Sequence, residues 1–178
     1  MECKFSDKQH AIFMQEALTQ AQKSLKQDEV PIGAVVVDVR GNIIGRGHNQ
    51  VMAKCSQSAH AEILAIEQAG KVQGDWRLEE CWLYVTLEPC AMCMNLIILS
   101  RLEGVVFGAP SPLFGYSNQN QLDNDDGLPL YKRDALSAIV CIQSEKSVEL
   151  LKQFFKQKRK SSGSTQGPGE DKRSTSYT

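Results

Sequence analysis

The chain has 178 residues, 42% of them hydrophobic and 23% charged, with 20 Lys and Arg against 21 Asp and Glu. That length suits a single domain with a sizeable core, and the ordinary composition excludes a fully disordered, collagen-like or coiled-coil protein. No apolar run approaches the roughly 20 residues that span a bilayer, and residues 1–8 lack the apolar stretch of a signal peptide, so a cytoplasmic protein is expected. The net charge of −1 averages unlike parts: residues 1–151 hold 13 basic and 19 acidic side chains, and residues 161–178 are neutral. Between them Lys152, Lys156, Lys158, Arg159 and Lys160 stand without an acid. This distribution leaves a polyanionic partner open.

In chain order, Ser6 is placed to cap a helix in which Phe13, Met14, Ala17, Leu18, Ala21 and Leu25 recur at helical spacing. Residues 30–37 are short, apolar and β-branched, which predicts a buried strand; Arg40, Gly41 and Asn42 predict a turn, and residues 43–47 the returning strand of a hairpin. A polar loop over 50–58 leads to a helix predicted over 59–69, with Ile63, Ile66 and Ala69 inward. Residues 82–86 predict a strand. Pro89 then suits the first position of a helix carrying Cys90 to about Arg101. Strands are predicted over 105–108 and 139–142, separated by a segment (109–132) with weak signals and an acidic cluster at Asp123, Asp125 and Asp126. Ser144 is placed to cap a last helix with Val148, Leu151, Phe154 and Phe155 on its apolar face. Beyond residue 160 Ser, Thr, Gly, Pro and charge dominate, and 161–178 is expected to be a disordered polar tail. Helices interleaved with short apolar strands predict an α/β sandwich, and the opening hairpin predicts a mixed sheet.

Two segments carry chemistry: His60-Ala61-Glu62 and Pro89-Cys90-Ala91-Met92-Cys93, each at a predicted helix start. Residues three apart share a helix face, so both thiolates can address one ion. Zinc takes thiolate and imidazole ligands in tetrahedral geometry, and catalytic sites combine three protein ligands with water. His60, Cys90 and Cys93 make three. Glu62 is placed to reach the water and not the metal. A redox pair and a closed structural zinc site are the competing readings; the first fits poorly with a Cys-x-x-Cys this late in the chain, and the second needs a fourth ligand when only His10 and His48 are spare. Cys3, Cys55, Cys81 and Cys141 are scattered and read as core or surface residues.

The pairing of His-x-Glu with Pro-Cys-x-x-Cys resembles the signature of the zinc-dependent cytidine and adenosine deaminases. Met14–Leu18, Glu29–Val35, Gly47-His48-Asn49, Ala59–Glu62, Leu83–Cys90, Ser100-Arg101 and Val105–Ala109 are similar to the bacterial tRNA-specific adenosine deaminases, closely over 6–109 and loosely over 144–160. The resemblance implies a cytidine deaminase-like α/β/α sandwich of three layers around a mixed sheet of about five strands. It implies a deaminase domain over 1–160, one Zn2+ per chain, a homodimer, and a tRNA anticodon loop as partner. Water activated by the metal would attack C6 of adenine or C4 of cytosine, with Glu62 carrying its proton to the ring nitrogen and the departing ammonia. Asn49 matches a residue that contacts the nucleoside, and the backbone around Ala61 and Cys90 completes the pocket. The departure from the family lies after Ala109: Ser111 stands where an acidic or polar residue is usual and Leu113 where a basic one is, while Phe114 and Gly115 recover the pattern. Phe114 and Tyr116 are candidates for stacking on splayed bases. The expected activity is adenosine-to-inosine conversion at the tRNA wobble position. The alternatives are deamination of a free base or nucleoside, such as guanine, cytosine or adenosine, and a non-catalytic zinc-containing RNA-binding subunit, against which Glu62 speaks.

Overall fold

The computed structural model describes residues 5–116, 136, 138–142 and 144–162. Ser6 caps α1 (Asp7–Lys26) as predicted: its N–H and its hydroxyl both donate to Gln9 Oε1, at 3.1 and 2.9 Å. The helix buries Phe13, Met14, Ala17, Leu18 and Ala21, the stripe read from the sequence. The first strand, β1 (Gly33–Val37), begins later than residue 30. Pro31 has no N–H to place in a ladder, and the Ile32 N–H turns back to the Val30 carbonyl at 2.8 Å.

A turn held by Asp38, whose Oδ1 accepts the Arg40 and Asn42 N–H groups, leads into β2 (Ile43–His48). With β3 (Trp82–Val85), β4 (Gly104–Phe107) and β5 (Ala138–Cys141) they form one mixed sheet in the order β2-β1-β3-β4-β5. Strand β1 is antiparallel to both neighbours, and β3, β4 and β5 run parallel.

Successive strand residues point to opposite faces, and both faces of this sheet are buried. Val35, Val37, Trp82, Tyr84 and Val106 join Phe13, Met14 and Leu18 of α1, with Leu150 of α4 (Glu145–Ser162) packed against them. Ala34, Val36, Leu83, Val85 and Val105 join Ala65 and Ile66 of α2 (Ala61–Gln73) and Met94 and Ile97 of α3 (Ala91–Leu99). The α/β/α sandwich therefore has three layers, α1 and α4 on one side and α2 and α3 on the other. Because both faces are covered there, the inner strands β1, β3 and β4 are buried along their whole length and do not alternate, whereas the outer strand β2 leaves Arg46 exposed.

Several boundaries differ from the sequence reading. Helix α2 begins at Ala61, runs on to Gln73 and stops at Gly74, which takes the left-handed conformation at φ 72°. Ile63 is only half-buried, and Ala65 occupies the inward position instead. In α4, Phe154 is buried but Phe155 is 47% exposed, because the helix meets the body along one narrow edge through Ser147, Leu150 and Phe154. The helix continues two residues past 160. The acidic cluster at 123–126 and residues 163–178 lie outside the described residues.

The end of β2, the start of β1 and the ends of β3, β4 and β5 share one edge of the sheet. In open α/β sheets the crevice beyond the carboxyl ends of the strands is where ligands bind, and here α2 and α3 both start over that edge. Gly47 permits the closeness on one side: a Cβ there would strike the Ala61 carbonyl oxygen and lie 2.6 Å from the Ala65 nitrogen. Gly47→Ala should force α2 from the sheet and destabilise the fold by at least about 2 kcal/mol, the scale of an overpacked core. Thermal unfolding should then show a midpoint lowered by roughly 4–8 °C.

Candidate active site

His60 and Cys90 are the N-cap residues of α2 and α3, both in extended conformation (φ −74°, ψ 151° and φ −73°, ψ 170°). This corrects the expectation that Pro89 and Cys90 lie inside the helix. An N-cap side chain folds over the first turn toward the third helical position, and Cys93 is that position. Cys90 and Cys93 thus converge as cap and first turn, not as two members of a helical face.

His60 Nδ1 lies 3.4 Å from Cys93 Sγ and 3.8 Å from Cys90 Sγ. The three potential ligand atoms all fall within 4.8 Å of one another, and among the described residues this is the one group of three such side chains so arranged. The other described histidines are engaged elsewhere: His10 Nδ1 meets the Tyr84 hydroxyl at 2.8 Å, and His48 meets the Gln50 side chain.

The cluster is half-buried, with Cys93 inside and His60 and Cys90 partly exposed. A hydrogen bond from the Cys93 thiol, together with one from His60, pulls the Cys90 thiol down to about 4 despite partial burial. Two thiol groups at helix amino termini also face the positive end of the helix dipole, which favours thiolate. The same hydrogen bond and its own burial push Cys93 upward, and the bond to Cys90 raises His60. Two cysteines and an imidazole sharing protons in this way form a donor set that suits zinc, which replaces the protons with one soft cation.

Glu62, in the first turn of α2, is 4% exposed, and burial pushes its carboxyl up. Its Oε2 is buried with no hydrogen-bond partner. A native structure seldom leaves such an atom alone, because the desolvation cost is about 1–3 kcal/mol. An orphan oxygen beside a metal-ligand cluster marks a position for a water molecule or a reacting group.

The remaining sequence candidates line the same edge. Asn49 follows β2 directly and is 5% exposed, its Nδ2 donating to Glu29 Oε2 at 3.3 Å. The Gln50 N–H donates to the Ala59 carbonyl at 3.0 Å, which ties Asn49's loop to the residue before His60. Ala61 is fully buried at the start of α2.

Ser111 and Phe114 sit on a loop pinned to the ligand turn. The Ser111 N–H donates to Glu88 Oε2 at 2.9 Å, the Tyr116 N–H to the Pro89 carbonyl at 3.0 Å, and Gly115 pairs with Cys90. Gly115 lies so near Glu88 that a Cβ would strike its carboxylate. Ser111 is buried, whereas Leu113 and Phe114 are 81% and 70% exposed. Tyr116 does not join Phe114 as a stacking surface: it is half-buried against the α2–α3 side of the core.

The groups that Glu29 and Glu88 hold are not visible in the sequence. Each is an acid beside an apolar strand, and no local spacing connects either one to the backbone groups it holds 23 or 24 residues away.

Residues 7–109 match the family described as the cytidine and deoxycytidylate deaminase zinc-binding region. The tRNA-specific adenosine deaminase of Bacillus subtilis (strain 168) is 41% identical over 152 residues, which cover 85% of this chain and 92% of that protein. A solved structure from studies of A-to-I editing by tRNA:A34 deaminases at the wobble position of transfer RNA shows 33% identity and a TM-score of 0.67. It covers 79% of this chain and 99% of that one. The structure of guanine deaminase from Bacillus subtilis shows 33% identity and a TM-score of 0.57, over 69% of this chain and 84% of that one. The fold and the His-Cys-Cys cluster define a zinc-binding deaminase domain, and the chain belongs to the cytidine and deoxycytidylate deaminase family. Cys93→Ala should remove tight zinc binding while leaving the sheet intact, as measured by metal content and far-ultraviolet circular dichroism.

Proposed function

We propose that this chain deaminates adenosine to inosine at the wobble position of the tRNA anticodon, with one zinc per chain held by His60, Cys90 and Cys93. The observation that carries the reading is the orphan Oε2 of Glu62, buried beside that cluster. Its relatives in sequence and structure include enzymes named for that reaction.

Bound zinc supplies the acidification of water, from a pKa of about 15.7 to about 7. The proton movements belong to Glu62. Its carboxylate takes a proton from the attacking water as the C6–O bond forms, and hands it to the ring nitrogen, so that the ring's π electrons have somewhere to go. It then carries the second water proton to the amino group as the C6–N bond breaks and ammonia leaves. Burial, which raises the affinity of this carboxyl for protons, suits a group that must hold one during the reaction. Asn49 and the backbone at Ala61 hold the nucleoside, Ser111 shapes the pocket wall, and Phe114, mostly exposed on a loop fastened by Glu88, stacks on an extruded base.

The domain spans 1–160 with a polar tail beyond, and it works in the cytoplasm, where thiols stay reduced; no described helix is long and apolar enough to cross a membrane. The chain works as a homodimer, a reading supported by Met92 and Leu99, which stand seven residues apart on α3 and are 40% and 45% exposed. Light scattering should give twice the chain mass, and metal analysis one zinc per chain.

A second reading, deamination of a free base, is favoured by the loop itself, which presents Leu113 and no basic side chain between 109 and 116. The decisive test offers the protein an anticodon stem-loop bearing adenosine and, in parallel, free guanine, cytosine and adenosine. Inosine should form in the stem-loop, and turnover of the free compounds alone overturns the tRNA assignment. Glu62→Gln should keep its zinc and lose roughly 10²–10⁴-fold in kcat, the usual worth of a general acid–base group.

Recognition can be divided in the same assay. Lys158 is already paired with Asp28 at 2.6 Å, so the phosphate-facing set is Lys152, Lys156, Arg159 and Lys160. Reversing their charges should flatten the salt dependence of stem-loop binding by about one unit of slope per lost phosphate contact. Phe114→Ala should instead raise KM without changing that slope.

A further inference from the structure

Glu29 is 2% exposed and belongs to none of the groups that handle metal or protons. It follows Asp28, whose φ of 60° turns the chain out of α1. Both of its carboxylate oxygens are in use: Oε1 accepts the Ala53 N–H at 2.8 Å, and Oε2 accepts Asn49 Nδ2 at 3.3 Å. The Asn49 backbone is fixed independently. Its N–H donates to the Ile32 carbonyl at 3.0 Å and its carbonyl accepts from Ser24 Oγ at 3.1 Å. Only the side-chain torsions are then free to choose an orientation.

An asparagine amide has a donor end and an acceptor end of nearly equal size, so packing alone does not choose between them. A carboxylate does choose, because when ionised it accepts and never donates. Only Nδ2 can face Glu29, and Oδ1 is turned away from it. Among the described residues no donor meets Oδ1.

We propose that Glu29 is a positioning residue that fixes the orientation of the Asn49 amide by engaging one Nδ2–H, so that Oδ1 and the second Nδ2–H meet the nucleoside in a set arrangement, while its second oxygen holds the 50–58 loop through Ala53. The proposal rests on Asn49 being a substrate contact.

Glu29→Gln tests this with little change of shape. If the new amide oxygen keeps the Ala53 N–H, its nitrogen confronts Asn49, and Asn49 must turn over to offer Oδ1. The zinc-loaded full chain is compared as wild type, Glu29→Gln, Glu29→Asp, Asn49→Ala and the Glu29→Gln/Asn49→Ala double variant. Zinc content and thermal midpoint are followed in each to establish folding. The Asn49 side-chain amide resonance is identified in ¹⁵N spectra by its loss in Asn49→Ala.

The expected result is a large change in that resonance in Glu29→Gln and a smaller one in Glu29→Asp, which keeps an acceptor-only group. The kcat/KM for the stem-loop should fall roughly 10–100-fold in Glu29→Gln, the scale of one hydrogen bond to a charged group, with no further loss when Asn49 is already alanine. An unmoved resonance in Glu29→Gln overturns the orientation, and an undiminished Glu29→Gln effect in the double variant overturns the coupling to Asn49. Full turnover by Asn49→Ala overturns the substrate contact itself, whatever the resonance shows.

Discussion

The meeting of two helix amino termini over one sheet edge is the constraint on which the rest of the molecule depends. His60 and Cys90 each end an extended segment and each open a helix, and Cys93 lies one turn into the second. To bring Nδ1 within 3.4 Å of a buried sulfur, both helices must sit close to the sheet and close to each other. Gly47 allows the first approach, since any side chain there would collide with the Ala61 carbonyl. The parallel pairing of β3 with β4 sets the second, because it leaves Cys90 at the carboxyl end of β3, where the crevice opens. The ends of helices are also electrically suited to the purpose. Their unsatisfied N–H groups favour anionic sulfur and carboxylate, which reduces the cost of burying Cys93 and Glu62.

A ring of hydrogen bonds supports that meeting point. Glu88 holds the Ser111 amide, Pro89 holds that of Tyr116, and Glu29 holds Ala53 and Asn49. Two buried acids thus fasten the two loops on either side of the His-Cys-Cys cluster. An ionised carboxylate in the interior is costly unless hydrogen-bonded, so each acid and the amides it accepts stabilise one another. Glu62 is the exception: a buried carboxyl with an oxygen left over. The difference in environment separates three acids of one residue type: those at positions 29 and 88 are occupied by backbone and side-chain donors, and the one at 62 keeps an oxygen for a further partner.

Charge is arranged on the same principle of local pairing. The chain's near-zero total combines an acidic body and a basic last helix, and an ion pair between Lys158 and Asp28 joins them. Both side chains are exposed, 43% and 80%, so this contact contributes little to stability. The sides of α4 not turned to the body keep Lys152, Lys156, Arg159 and Lys160 in solvent. The net figure alone therefore says little about a polyanionic partner, while the distribution shows that the basic side chains without acidic neighbours in sequence are gathered on α4.

The sequence by itself determined the elements, their order, the mixed α/β class, and the His-x-Glu and Cys-x-x-Cys pair. All of these are written in local periodicity and short spacing: the stripe from Phe13 to Leu18, the β-branched run before the turn at Gly41, the apolar strand ahead of Pro89. It misjudged details that depend on what lies opposite, such as Phe155, which faces solvent because α4 rests on a narrow edge, and Tyr116, which packs inward beside an exposed Phe114. Only the tertiary structure decided that Cys90 caps its helix and does not belong to it, that Glu62 keeps an unpartnered oxygen, and that Glu29 and Glu88 reach across 20 or more residues to orient a side chain and a loop. The reason is physical. A periodic pattern reports how a segment meets an apolar surface, whereas the direction of a hydrogen bond depends on which groups the folded chain carries to within 3 Å or so of each other.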